Sequence, residues 1–114
     1  MRAYYDSDKE QLAPMENKIS KVGQYVICRC TQAGVHAGRL VEQQGQVVAL
    51  ENSRWLWRWY PASGKWLSGV ANHGLAHDKS RVGEPVDVTL TEVCEIISCK
   101  EVAVRNIQSC PSNG

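Results

Sequence analysis

The sequence predicts an α+β protein in which an antiparallel β-sheet, a meander of about six strands, carries short peripheral helices. Three observations lead to this prediction. Apolar and polar residues alternate in short runs between residues 24 and 99, glycine- or proline-containing turns separate the runs, and two segments with helical spacing follow strands. A chain of 114 residues with 43% hydrophobic residues is the size of one domain with one core.

The chain divides into three parts. Residues 1–22 are a polar leader, in which Ser7 and Glu10 have the spacing of a helix capping box and Pro14 ends the helix. Residues 23–110 are predicted to form a single β-rich domain that carries any ligand site. Residues 111–114 are expected to be a frayed tail.

Four consecutive strands are predicted in the first half of the domain. They cover residues 25–30, 35–42, 46–50 and 54–60, and Gly45 supplies the positive φ of the turn between the second and the third. Short strands joined by tight turns are typical of an antiparallel meander.

The second half mixes helices and strands. After a loop, residues 65–72 have the spacing of a short amphipathic helix, which Gly74 is placed to cap. A loop over 76–85 leads to strands 86–90 and 93–99, and a helix is predicted over 100–107.

The segment from Asn52 to Tyr60 has the most unusual composition in the chain, because it holds three of the four tryptophans together with two arginines. In a strand, alternate side chains point to opposite sides. One side then carries Trp55, Trp57 and Trp59, and the other carries Arg54, Leu56, Arg58 and Tyr60. Either the tryptophans fill a core below solvated arginines, or indoles and guanidinium groups together form a site for nucleobases and phosphates.

Charge and hydropathy limit the partners. Thirteen Lys and Arg against 12 Asp and Glu give a net charge of +1, which argues against binding to a nucleic-acid polymer but not to a small nucleotide. No segment has 18 or more apolar residues, and the N-terminal residues lack the apolar core of a signal peptide. We therefore expect no membrane contact and a cytoplasmic location.

The five cysteines do not predict a disulfide framework or a metal site. Their number is odd, and the spacing of Cys28 and Cys30 lacks the paired pattern of zinc ligands. In a strand these two residues share a side, which is typical of cysteines that act as small buried apolar residues.

The sequence does not predict an enzyme or a cofactor. A serine or cysteine nucleophile needs a base within reach, and His36, His73 and His77 lie in no catalytic motif. No phosphate-binding glycine loop or paired carboxylate spacing occurs.

Four runs, in order, resemble a known family: AGVHAGRL at 33–40, VALxNSRxLWxW at 48–59, LSGVANHGL at 67–75 and LTEVCEIISC at 90–99. They are similar to the first family of Thoeris anti-defence proteins, small phage proteins that sequester immune nucleotide signals. The resemblance spans about residues 26–107. Trp55 stands where the family has a second arginine, Arg58 stands where a tyrosine is more usual, and the loop 76–85 matches poorly.

The resemblance implies a protein that binds glycocyclic ADP-ribose, the messenger made by Thoeris TIR enzymes, without cleaving it. Some members also bind cyclic trinucleotides of CBASS systems at a second site, and members assemble as dimers or hexamers with pockets between protomers. We expect phosphate contacts from Arg54 and Arg81, stacking of adenine on Trp57 or Trp59, and a hydrogen bond from Asn72 to base or ribose. Thr89 and Arg105 are further candidates, and Arg29 is a candidate for a second phosphate site.

Two alternatives remain open at this stage. The first alternative to a nucleotide-sequestering protein is a small phage structural or interaction protein whose tryptophans form an oligomer interface. The second is an enzyme that degrades the same nucleotides. The absence of an acid–base pair in the sequence disfavours the enzyme.

Overall fold

The structure, a computed structural model, describes residues 19–112 and confirms the α+β fold with a six-stranded antiparallel sheet and two short helices. The helix predicted around Ser7 lies outside the described residues. The strands are β1 (Tyr25–Cys30), β2 (Gly34–Gln44), β3 (Val47–Arg58), β4 (Arg81–Val82), β5 (Val86–Leu90) and β6 (Val93–Ser98). The helices are α1 (Trp66–His73) and α2 (Glu101–Ser109).

Strand β3 is longer than either strand predicted there. Gln46, Trp59 and Tyr60 of the two predicted strands lie outside it. Residues 47–50 and 54–58 belong to one strand of 12 residues, which is interrupted by a register shift between Leu50 and Ser53 in its pairing with β5. Asn52 has a φ of +53° at this point, and its N–H donates to Asp87 Oδ1 at 3.0 Å. Asparagine tolerates this left-handed conformation, so the polar residues that indicate a turn in the sequence form a β-bulge instead.

The sheet has the strand order β4–β3–β2–β1–β6, with β5 paired to β3 as well. The meander therefore ends at β3, because β6 returns to pair with β1 and does not pair with β5. The Val93 N–H donates to Gln46 O at 3.1 Å, which brings the start of β6 next to the turn between β2 and β3. The sheet is thus strongly curved.

Two clusters of buried side chains lie on the two sides of this curved sheet. The first packs Ile27 and Leu56 against the helices, through α1 residues such as Val70 and through Ile107 of α2. The second lies on the other side of the sheet and includes Val26, Cys28, Leu40, Leu50 and Leu90.

One asparagine of α2 holds the segment that follows α1. Asn106 Oδ1 accepts from the Leu75 N–H at 2.7 Å, and its Nδ2 donates to Leu75 O at 3.2 Å. Gly74 precedes this contact with a φ of +92°, and a Cβ there would lie 2.3 Å from Asn106 Cγ. Glycine is required at this position for both reasons. Within residues 19–112, no helix has the length and apolar character needed to cross a membrane.

Candidate functional site

On β3, two tryptophans face solvent and the residues that alternate with them are buried, which is the reverse of the interpretation in which tryptophans fill a core. Trp55 and Trp57 are 49% and 43% exposed, whereas Arg54 and Leu56 are 3% and 2% exposed. Leu56 belongs to the cluster beneath the helices, and Arg54 lies on the same side of the strand. Of the two interpretations, the one with solvated arginines above buried tryptophans is therefore wrong for Arg54, Trp55 and Trp57.

Trp55 and Trp57 form an exposed aromatic pair. Their ring centroids are 6.2 Å apart, and the ring planes are inclined by 41°. Trp55 lies directly across from His36 of β2, and a Cβ at Gly34 would lie 3.4 Å from the indole Nε1. Gly34 has a φ of +85°, so a residue without a side chain allows both the turn into β2 and the close approach of the indole.

Two arginines lie directly opposite each other where β3 pairs with β4. Arg58 is exposed and Arg81 is partly buried, and Arg81 Nη1 donates to Ser80 O at 3.0 Å. Among residues 19–112, the carboxylates that form ion pairs are those of Glu95 and Glu101, and neither contacts these two arginines. Like charges directly opposite in a sheet repel each other. An anion bound between the two guanidinium groups would relieve this repulsion.

We call Trp55, Trp57, Arg58 and Arg81 the Trp/Arg surface. The backbone ties its two strands together, since the Gly83 N–H donates to Trp55 O at 2.9 Å just after β4. Planar apolar rings and cations that no carboxylate among residues 19–112 neutralises thus occur within one short stretch of β3 and the strand beside it. This combination suits a ligand with both a flat ring and a negative charge.

Arg54 has a structural role in this protomer. Its Nε donates to Gly83 O at 2.7 Å. The other four N–H groups donate to Ile107 O at 3.1 Å, Gln108 O at 3.4 Å, Cys110 O at 2.8 Å and Ser112 Oγ at 3.2 Å. These contacts fasten the C-terminal end of α2 to β3, so we correct the assignment of Arg54 to phosphate. The predicted fraying of the tail does not extend to Ser112.

Two further predicted residues lie apart from the Trp/Arg surface. Trp59 is partly buried against the cluster beneath the helices, because a register shift between Leu56 and Arg58 interrupts the alternation of sides. The prediction that it shares a side with Trp55 is therefore wrong. Asn72 is partly buried on α1.

Three more predicted residues lie on other elements. Arg29 forms an ion pair of 2.7 Å with Glu95, and Thr89 is exposed on β5 opposite Ala49, eight residues along β3 from Trp57. Arg105 of α2 forms a 3.3 Å ion pair with Glu101 and lines a groove of about 420 Å³ together with Arg39. Trp57 directly precedes Arg58, the cross-strand partner of Arg81, whereas these three residues lie elsewhere.

Burial raises the pKa of most of the cysteine thiols. It raises the pKa of Cys28 and of Cys99 to about 12, and it also raises the pKa of Cys30. The pKa of Cys110 is raised by burial, which the charge of Arg54 partly opposes. These thiols are protonated at neutral pH and are poor nucleophiles. Within the described part of the chain, no group of three His, Cys, Asp or Glu side chains is placed to hold a metal ion.

Sequence reasoning omitted two members of the Trp/Arg surface, Trp55 and Arg58, from its list of ligand residues. Both differ from the pattern of the family that the sequence resembles. Their positions in the sequence could have indicated them, because Trp55 lies two residues before Trp57, on the same side of a strand, and Arg58 directly follows Trp57.

These features define a small α+β domain with a curved antiparallel sheet and an exposed aromatic and cationic surface. Residues 23–107 match a family described as a domain of unknown function, DUF6948, and the chain belongs to this family. No curated protein and no solved structure matches the chain.

Proposed function

We propose that this protein binds an immune signalling nucleotide and sequesters it without cleavage, as an anti-defence protein that a phage makes in the bacterial cytoplasm. The observation that carries the proposal is the Trp/Arg surface, where two exposed indoles stand beside two arginines without a described carboxylate partner. The resemblance to Thoeris anti-defence proteins supplies the ligand class. Glycocyclic ADP-ribose is the first candidate, and a cyclic trinucleotide of CBASS systems is the second.

The energetics favour a site completed by a second protomer. A protein that competes with a receptor for its signal needs a dissociation constant near 1 nM, or about 12 kcal/mol. Stacking contributes about 1–3 kcal/mol per base, and an arginine bond to phosphate contributes about 1.5–3 kcal/mol where water is excluded. The Trp/Arg surface is half exposed in a protomer, so a pocket shared between protomers would supply the missing contacts and exclude water.

Binding without cleavage is supported by the chemistry around the surface. His36 is the histidine opposite Trp55, and its Nε2 is 2.9 Å from Ala33 O. His77 Nε2 is likewise 2.9 Å from Asn106 O. These rings are engaged by backbone carbonyls, and the buried thiols are protonated. A base positioned to activate water or a nucleophile is not apparent among residues 19–112.

Calorimetry with glycocyclic ADP-ribose tests the proposal, followed by heat denaturation of the complex and mass analysis of the released ligand. We expect tight binding and an unchanged ligand mass. Trp55→Ala and Arg58→Gln should weaken binding, whereas the matched controls Trp66→Ala and Lys65→Gln, which alter exposed residues at the start of α1, should not. Release of an altered ligand would identify an enzyme instead.

The main alternative is an interaction protein without a nucleotide ligand. If glycocyclic ADP-ribose and a panel of cyclic di- and trinucleotides all fail to bind, the sequestration proposal is wrong. A change of oligomeric state in Trp55→Ala would then identify the tryptophans as a protein interface.

A further inference from the structure

We propose that Cys30 and Cys94 form a reversible thiol–disulfide pair, which a low-molecular-weight disulfide such as oxidised glutathione converts into a covalent bond between β1 and β6. This modification site is separate from the Trp/Arg surface, because β1 and β6 lie at the other end of the strand order from β3 and β4. The bond would form whether or not a nucleotide is bound.

A β-bulge places Cys94 beside Cys30. Cys30 is paired with Val93 across the two strands. The preceding residue, Arg29, is paired with Glu95, so Cys94 is the extra residue of the bulge. Neighbouring strands are about 4.8 Å apart, and a disulfide needs a Cα separation of about 4.4–6.8 Å. The extra residue next to the Cys30 pair is therefore expected within the range that a disulfide allows.

The Cys94 thiol lies close to the backbone of Cys30. Its Sγ donates to Arg29 O at 3.3 Å, and the carbon of this carbonyl is bonded to the Cys30 nitrogen. Standard peptide geometry then puts the Cys94 sulfur within about 6 Å of the Cys30 Cα. Burial is the main cause of the raised pKa of Cys30, and the charge of Cys94 is the next cause. Rotation about the Cα–Cβ bonds of the two residues would bring the sulfurs together without a movement of either strand.

Both side chains lie on the same side of the sheet and differ in access. Cys30 packs against the second cluster, which contains Val93. Cys94 is exposed and lines a groove of about 600 Å³ together with Val93 and Ile96, and Ile96 packs against the same cluster. Cys30 is partly buried, whereas Cys94 is open to this groove. A reagent in solvent therefore meets Cys94 first.

The bond would form in two exchange steps. The Cys94 sulfur attacks one sulfur of oxidised glutathione, the S–S bond of the reagent breaks, and one glutathione leaves with the Cys94 proton. The Cys30 sulfur then attacks the Cys94 sulfur of this mixed disulfide, and the second glutathione leaves with the Cys30 proton. Two protein thiols lose two electrons, and one molecule of oxidised glutathione is reduced to two thiols. Cys30 is protonated and partly buried, so it acts in the second step, where its fixed position beside the mixed disulfide favours attack.

The bond would fasten β6 to the rest of the sheet. Among residues 19–112, β6 pairs with β1 and with no other strand. A bond between residues 30 and 94 closes a long loop, which restricts the unfolded chain. The oxidised protein should therefore unfold at a higher urea concentration than the reduced protein, and reduced glutathione in excess should reverse the change.

Treatment of the full-length, reductant-free chain with oxidised glutathione tests the pair. Free thiols are then alkylated, the protein is denatured and digested, and mass spectrometry identifies linked peptides. Trypsin separates Cys28 from Cys30 by cutting after the arginine between them. A glutamate-specific protease separates Cys94 from Cys99 by cutting after the glutamate between them. We expect the chain to lose two of its five free thiols and to yield a single link, between Cys30 and Cys94.

Three variants make the assignment specific. Cys30→Ser should stop at the mixed disulfide and gain the mass of one glutathione, because no neighbouring thiol is left to displace it. Cys94→Ser should stay unmodified, and Cys99→Ser should form the same link as the wild type. Oxidation should raise the urea midpoint of the wild type and leave that of Cys94→Ser unchanged. A wild-type chain that stays reduced, stops at a glutathione adduct, or links other cysteines within one chain or between two would overturn the proposal.

Discussion

Arg54 and Arg58 lie four residues apart on β3, and the same side chain has two different roles there. Arg54 is buried, and each of its five N–H groups has an acceptor, four of them backbone carbonyls of the α2 end and Gly83. Arg58 is exposed, and its opposite neighbour is another cation, Arg81. The first arginine is therefore part of the fold, and the second is available for a ligand.

The difference lies in what surrounds each guanidinium group. The end of a helix presents carbonyl groups without partners within the helix, and a buried arginine satisfies several of them at once. Near the end of β3 no described acidic residue neutralises Arg58 and Arg81, so their charges remain for an external anion. The comparison predicts that substitutions at Arg54 affect stability, whereas substitutions in the Trp/Arg surface affect binding.

The largest expected effect is that of Arg54→Ala on stability. Removing the guanidinium leaves buried carbonyls unsatisfied and detaches the end of α2, so we expect the free energy of unfolding to fall by about 3–5 kcal/mol. Urea denaturation followed by circular dichroism measures it. Arg54→Lys should recover only part of the loss, because an ammonium group has three donors without the planar fork. A loss below about 1 kcal/mol for Arg54→Ala would contradict the structural role.

Trp55→Ala should have the next largest effect, this time on binding. Loss of one stacking surface should weaken nucleotide affinity by about 1–3 kcal/mol, or roughly 5- to 150-fold. The indole is half exposed, so the free energy of unfolding should change by about 1 kcal/mol or less. Calorimetry and urea denaturation on the same preparation separate the two quantities. Equal affinity in Trp55→Ala and the control Trp66→Ala would remove Trp55 from the binding surface.

The contrast between Arg54 and Arg58 also shows which parts of the fold and of the site could be predicted from the sequence. Alternation of apolar residues predicted β1 and β5 with the observed bounds, because this signal is local. Both helices were also predicted to within two residues at each end. The side of β3 that is buried could not be predicted, since it depends on the C-terminal end of α2, about fifty residues later, reaching Arg54. The bulge at Asn52 was likewise hidden, because its residues also suit a turn.

Alkaline pH should affect the buried region and leave the Trp/Arg surface unchanged. Burial raises the pKa of Cys28 to about 12, whereas an unfolded chain has a thiol pKa near 8.5. Since the unfolded state then loses its proton first, stability is fully present below about pH 8.5 and falls as pH rises toward 12. We expect the Cys28 thiol to contribute a loss of about 2 kcal/mol at pH 10.

The control for this effect is Cys28→Ala, which should be less stable at pH 7 but should lose less stability between pH 8 and 10. Urea denaturation at several pH values measures both curves. None of these buried thiols belongs to the Trp/Arg surface, so nucleotide affinity at pH 9 should match that at pH 7. Parallel stability curves for the two proteins would show that the Cys28 thiol does not contribute.

Arg58→Gln should give the smallest change, and its salt dependence is the sharpest test of the comparison. Arg58 is exposed, so it should contribute about 0.2–1 kcal/mol to nucleotide binding at moderate ionic strength. Salt screens an exposed charge, so the difference between wild type and Arg58→Gln should shrink from 0.05 M to about 0.5 M salt. Stability should even rise slightly at low salt, because the substitution removes the repulsion from Arg81. A loss of stability as large as that of Arg54→Ala would mean that both arginines belong to the fold, and the distinction between them would fail.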